Sequence, residues 1–187
     1  MTDELTKLIT GIAPDGQLIP VPKLKVHEDG GQHLAISVFL YSEHGLLLQQ
    51  RALGKYHSGG LWANSCCSHP DWQEDIDVCA HRRCREELNL EADLQRLGSV
   101  DYRADVGSGL IENERAFIFA GRVAASVIQV APNPDEIMST RWATKDQLNS
   151  ELETSSDQFS TWFQQYMSRN DEALVAVRNH IWTLVEQ

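Results

Sequence analysis

Three short stretches of this 187-residue chain gather side chains that can do chemistry. Cys67-Ser68-His69 sets a thiol and an imidazole two residues apart, a spacing that falls on one side of an extended strand. The pair is either a nucleophile beside a ligand or, more plainly, a small buried hydrophobe beside a structural histidine. Glu112-Asn113-Glu114 sets two carboxylates at i and i+2, which point the same way if the backbone is extended. They are either solvated acids opening a strand, or metal ligands with a proton-transfer acid among them. Residues 74–88 carry Glu74, Arg82, Arg83, Glu86 and Glu87. On a helix Arg82 stacks on Glu86 and Arg83 on Glu87. Such a face is either a solvated run of ion pairs, or a set of carboxylates holding Mg²⁺ against a diphosphate while arginines orient the acids.

The elements that must position these groups follow from hydrophobic periodicity. Residues 33–41, HLAISVFLY, are apolar on both faces and read as a central strand. Ser42-Glu43-His44-Gly45 turns the chain into a partner strand, Leu46 to Arg51. Segments 6–13 and 17–21 read as strands around Pro14-Asp15-Gly16, and 94–103, 114–123 and 136–142 as further strands. In 74–88, Ile76, Ala80, Cys84 and Leu88 make an apolar stripe; Glu74 and Asp75 sit in the first turn and Asn89 ends the helix. Helices over 144–152, 157–168 and 171–185 close the chain. The sum is a mixed sheet with helices packed on it.

Composition narrows the function classes. The formal net charge of −11 opposes general nucleic-acid binding, so an anionic substrate must meet a local basic cluster or a metal. No apolar run approaches membrane-spanning length. The acidic N-terminus, MTDELTKLIT, has none of the segments of a signal peptide, and the expectation is a cytosolic protein. Cys66, Cys67, Cys79 and Cys84 have neither the context of a disulfide framework nor zinc-finger spacing.

The stretch from Ser68 to Leu90, with Glu74, Arg82, Glu86 and Glu87, resembles the Nudix box, a loop–helix–loop that presents carboxylates to metal-bound diphosphates. Ser68 and Asn89 stand where the box has Gly, and Arg83 stands where a hydrolytic box has the first Glu of its core. Trp62 to Pro70 closely resembles the catalytic-cysteine segment of type I isopentenyl diphosphate isomerases, and Glu112-Asn113-Glu114 resembles a signature of the same family. The likeness runs from about Lys23 to Trp142 and continues to Phe159-Ser160-Thr161-Trp162.

The resemblance implies a Nudix-type α/β fold: a mixed β-sheet packed between α-helices, with N-terminal strands and C-terminal helices added. It implies one domain over residues 1–187, with its core at about 30–150. The activity implied is isomerisation of isopentenyl diphosphate to dimethylallyl diphosphate. Glu114, aided by Tyr102, takes the position of the proton donor, and Cys67 the opposite face of the substrate. His27, His33, His69, Glu112 and Glu114 fall on metal-ligand positions, a nitrogen–oxygen set suited to Mn²⁺, Mg²⁺ or Zn²⁺. Glu87 corresponds to a ligand of a second metal, Mg²⁺, bridging to the diphosphate; Lys23, Arg51, Lys55 and Arg83 to diphosphate contacts; Trp162 to the wall of the hydrocarbon pocket. The partner implied is a small isoprenyl diphosphate, with no nucleic acid or membrane, for a monomer or homodimer. Two alternatives stay open: a Nudix hydrolase of a nucleoside diphosphate derivative, which Glu86 and Glu87 favour and Arg83 opposes, and a non-catalytic diphosphate-binding module.

Overall fold

The computed structural model describes residues 6–124 and 130–186; Met1 to Leu5 of the acidic N-terminal segment lie outside that description. The centre is β3 (His33–Ser42), and both of its faces are buried, as its unbroken apolar run requires. Its odd residues Ala35 and Phe39 join one apolar cluster, and its even residues Ile36, Val38 and Leu40 join another. Gly45 turns the chain at φ 109°, where a Cβ would run into the Ala143 carbonyl. The chain returns antiparallel as β4 (Gly45–Arg51).

The expected N-terminal hairpin forms as β1 (Leu8–Ile12) and β2 (Leu18–Pro22). Two short strands, β5 (Trp62–Asn64) and β6 (Cys66–Ser68), pair with β4 and β3 respectively. The long β7 (Asp93–Asp105) runs antiparallel to β8 (Ile111–Arg122), and β8 lies parallel to β3. β9 (Ile137–Ala143) pairs antiparallel with β4. One parallel ladder among antiparallel ones makes the sheet mixed.

Helices cover both faces. On one side lies α2 (Ile76–Arg83), continued by a π-turn, Cys84–Leu88. Its stripe residues recur every four positions, more than the 3.6 of an α-helix. The wider π-turn absorbs the excess, so Ala80, Cys84 and Leu88 all stay buried against Ile36, Val38 and Phe119. The helix starts later than expected: Asp75 is the N-cap, accepting from the Asp77 and Val78 N–H groups, and Glu74 precedes it. Asn89 closes the π-turn in the left-handed conformation, φ 53°. On the other side lie α4 (Thr161–Ser168) and α5 (Glu172–Val185), after α3 (Lys145–Thr154), whose Thr144 and Gln147 form a capping box. Phe159, Trp162, Phe163, Tyr166, Ile181 and Trp182 pack here on Ala35, Phe39 and Ile118. Each such side chain contributes about 2–3 kcal/mol by leaving water.

Among the described residues no helix is long and apolar enough to cross a membrane.

Candidate active site

The stretch between β2 and β3, given no element in the sequence reading, is a helix, α1 (Lys23–Asp29). Gly30 ends it at φ 62°, a conformation that glycine adopts without steric cost. The helix places Lys23 and His27 one turn apart, and His27 Nδ1–H donates to the Lys23 carbonyl at 2.6 Å. His33 opens β3, and its Nδ1–H donates to the Gly31 carbonyl at 2.9 Å. Both bonds leave the Nε2 lone pair for a ligand, the arrangement that orients metal-binding histidines. Glu114 lies directly opposite His33 in the parallel β3–β8 ladder. His69 follows β6 and reaches Glu114 Oε1 with Nε2 at 2.9 Å.

Thus His27, His33, His69 and Glu114 place one donor atom each within 4.8 Å of one another, and all four residues are buried. His33 Nε2 has no hydrogen-bond partner there. Burial pushes the His27 imidazole down to about 4, helped by His33, and burial pushes His69 down to about 3. Burial thus favours neutral His27 and His69, the form in which an imidazole beside a carboxylate takes a divalent metal. Burial opposes the Glu114 charge, but the neighbouring His33 imidazole, 3.5 Å away, and the hydrogen bond of His69 hold its carboxyl well below the ordinary range.

Glu112, the fifth implied ligand, stands beside this quartet rather than in it. Tyr102 faces Glu114 across the β7–β8 ladder, and its hydroxyl lies 2.6 Å from Glu114 Oε2 and 2.9 Å from Glu112 Oε2. One phenolic proton cannot serve both. Burial and the neighbouring Glu114 charge push the Glu112 carboxyl well up, the direction that lets Glu112 share a proton with the Tyr102 oxygen while Tyr102 donates to Glu114. His57 Nε2 completes the row, 3.5 Å from Glu112 Oε1. Burial, with Arg51 and His27 adding to it, pushes the His57 imidazole down to about 2.

Cys67 approaches from the other flank of β3, where it pairs with Ser37. Its Sγ donates to Asn64 Oδ1 at 3.0 Å and lies 3.4 Å from Ser37 Oγ. Asn64 is fixed in turn, since its Nδ2 donates to Ser37 Oγ and to the Val38 carbonyl at 2.9 and 3.0 Å. Burial pushes the Cys67 thiol up to about 12, against the pull of Ser37 and Asn64. The other three cysteines are buried free thiols.

The basic residues line the same cavity. Arg51 lies over the Trp162 ring at 5.1 Å and donates from Nη2 to the His57 carbonyl. Its Nε, the Trp162 Nε1 and the Gln49 Nε2 are buried donors without acceptors. Lys23 lies over the Tyr56 ring at 5.6 Å. Arg83 donates to Glu87 Oε1 from Nε and Nη2 at 3.1 and 2.6 Å, and Lys55 pairs with Glu136 at 2.5 Å. Arg82 holds Glu86 at 2.9 Å, as its four-residue spacing implies, and clasps Glu74 with two bonds.

Eleven of the thirteen residues singled out in the sequence line this one cavity: Cys67, Glu114, Tyr102, Lys23, Arg51, Lys55, Arg83, Trp162, His69, Glu112 and Glu87. The other two, His27 and His33, complete the quartet behind it. Sequence reasoning passed over Gln49, Tyr56, His57 and Glu136, which also line it, and the thiol's partners Ser37 and Asn64. Asn64 sits inside the segment that marks Cys67, and His57 two residues past Lys55, so those two were within reach. Glu136 joins the site only by tertiary folding.

The NUDIX domain profile matches residues 31–163. The chain is 43% identical over 161 residues to an isopentenyl-diphosphate Delta-isomerase of Ruegeria pomeroyi, covering 86% of this chain and 89% of that one. It is 45% identical to a protein of the same name from Cereibacter sphaeroides, covering 86% and 90%. Among solved structures it superposes on a Deinococcus radiodurans protein with a TM-score of 0.66 at 16% identity, covering 92% of this chain and 98% of that one. That likeness bears on the fold alone. With the domain matched over most of its length and such identities over nearly all of it, the chain belongs to the isopentenyl-diphosphate Delta-isomerase family of NUDIX-domain proteins.

Proposed function

We propose that this enzyme isomerises isopentenyl diphosphate to dimethylallyl diphosphate, with Glu114 and Cys67 as its two proton-transfer groups. The observation that carries the reading is the pairing of a thiol and a carboxylate on strands that flank β3 and line one cavity, β6 and β8. A binding module needs neither group held so closely. A hydrolase of the Nudix type needs the Glu that Arg83 replaces.

The alkene is a poor base, so its proton donor must be aligned and dry. Tyr102 and Glu112 form a hydrogen-bonded row that can return a proton to Glu114. To take the allylic proton Cys67 must act as a thiolate, its S–H proton having left before the step and the thiol being restored by the proton it accepts, and Asn64 and Ser37 aim its sulfur. The Trp162 ring, 2% exposed, offers its π face to positive charge developing on the hydrocarbon. Burial of the whole row excludes the water that would trap such a charge. Lys23, Arg51, Lys55 and Arg83 hold the diphosphate, whose P–O bonds stay intact.

His27, His33, His69 and Glu114 fit a divalent metal, Mn²⁺, Zn²⁺ or Mg²⁺, with Glu112 beside it; Glu87 offers a buried carboxylate for Mg²⁺ at the diphosphate. A bound divalent ion supplies positive charge that stabilises carboxylate and diphosphate oxygens. The test is incubation with isopentenyl diphosphate, Mg²⁺ and Mn²⁺ in D₂O, followed by NMR. Deuterated dimethylallyl diphosphate is expected. Folded, metal-loaded protein that gives neither product nor exchange would overturn the reading.

A further inference from the structure

We propose that Glu136 is a placeholder for the substrate's diphosphate: its carboxylate occupies the cations that a phosphate group must take, and so makes diphosphate binding depend on Mg²⁺. The inference rests on the diphosphate end assigned above.

Glu136 lies in the turn before β9, and its backbone is clamped on both sides. Its N–H donates to the Asn133 carbonyl, its own carbonyl accepts from the Ala52 N–H, and Asn133 N–H donates to the Glu87 carbonyl. The turn therefore joins the loop that carries Lys55 to the π-turn that carries Glu87. Its side chain splits between two cations: Oε2 takes Lys55 Nζ at 2.5 Å, and Oε1 takes Arg83 Nη2 at 3.3 Å. Burial opposes the Glu136 charge, but Lys55 and Arg83 together hold the carboxyl below its ordinary value. Both cations thus favour its ionised form.

Charge counting shows the consequence. Lys55 and Arg83 bring two positive charges, and Glu86, Glu87 and Glu136 within bonding distance of them bring three negative ones. A bare diphosphate arriving at Lys55 and Arg83 meets two cations already paired with carboxylates. Divalent metal neutralises carboxylates and arrives with the diphosphate, which releases Lys55 and Arg83 for phosphate oxygens. A structural salt bridge alone predicts something different. Removing one partner of a half-buried pair costs stability, and any affinity gained from the lost charge alone would be the same with and without Mg²⁺.

Pyrophosphate is the probe, titrated by calorimetry into wild type and Glu136→Gln, with and without Mg²⁺. The expected result is at least tenfold tighter binding of Mg²⁺-free pyrophosphate by the variant, together with a smaller enhancement by Mg²⁺ than in wild type. Equal or weaker Mg²⁺-free binding by a variant with a native thermal transition would overturn the proposal. Should that variant not fold, Glu136→Asp, which keeps the charge one methylene short of Lys55, decides. A smaller gain in the same direction supports the placeholder, and no gain overturns it. Wild-type exchange in D₂O is run in parallel. Its failure with a positive Glu136 result would reject the isomerase reading and leave the placeholder standing.

Discussion

At the His/Glu end of the cavity, His33, Cys67, His69, Tyr102, Glu112 and Glu114 leave a strand or the residue next to one, and their side chains are held by buried or half-buried hydrogen bonds. At the end proposed for the diphosphate, Lys55, Arg83, Glu87 and Glu136 come from a loop, a helix end, a π-turn and a turn before β9, and they end in ion pairs, one of them with Glu86, whose side chain is 45% exposed. The first end is held by strand register, which a single hydrogen-bond ladder fixes for many residues at once. The second is held by mutual charge neutralisation, which a ligand can exchange. Strand register suits an acid and a thiol that must not move while a proton does. Exchangeable pairing suits a polyanion that must enter and leave.

The largest expected effect separates chemistry from metal holding inside the first end. Glu114→Gln removes both the acid and a ligand of the quartet. Cys67→Ala removes the thiol and leaves all four donors. Each should lower kcat by about 10³-fold or more, within the upper range of acid–base contributions. Only Glu114→Gln should also lower bound metal, measured by elemental analysis. Turnover surviving in either variant would remove that residue from the proton-transfer pair. Next, thermal stability should rise with added Mn²⁺, by about 2.7 kcal/mol at a hundredfold excess over Kd. That rise should vanish in His33→Gln and persist in Glu87→Gln. Loss of the rise in Glu87→Gln would show that the two ends do not hold metal independently.

The same contrast explains what could be read from the sequence. Cys67 with His69, and Glu112 with Glu114, were legible because a strand converts i, i+2 spacing into one face. Arg82–Glu86 and Arg83–Glu87 were legible because a helix does the same for four-residue spacing. Tyr102 and the histidines became candidates through resemblance, and only the β7–β8 register shows why Tyr102 meets Glu114. α1 was missed because seven residues, KLKVHED, carry too little periodicity to announce a helix. Glu136 was illegible for a different reason. It lies 81 residues from Lys55 and 53 from Arg83, and nothing local marks which distant cation a turn carboxylate will meet. Pairs set by local spacing are therefore readable at either end, and pairs between distant segments emerge with the tertiary fold.

A middle-sized effect tests whether the first end depends on orientation as closely as its geometry implies. Asn64→Ala removes the acceptor of the Cys67 thiol and the donor to Ser37. The thiol should keep its burial and lose its aim. We expect kcat to fall about 10- to 100-fold with KM nearly unchanged, since a slight misplacement of reacting groups carries a cost of that order. A rise in KM at constant kcat would move Asn64 into diphosphate binding and blur the division between the ends.

The smallest effect concerns acid stability, which the charged side should supply. Glu74 accepts two bonds from Arg82 and one from the Asp71 N–H. Burial raises its carboxyl and those bonds outweigh it, so its folded value lies below the ordinary 4.5. A depressed folded value contributes stability that is complete above the unfolded pKa and is lost as pH falls through the folded one. Glu74→Gln should therefore cost up to about 1 kcal/mol at pH 7, the scale of a partly exposed ion pair. The gap to wild type should close as pH drops below about 4.5. Denaturant unfolding at pH 7 and in steps below the carboxylate range measures it. A gap independent of pH would mean that Glu74 acts through packing, and that acid sensitivity must be sought at the His/Glu end instead.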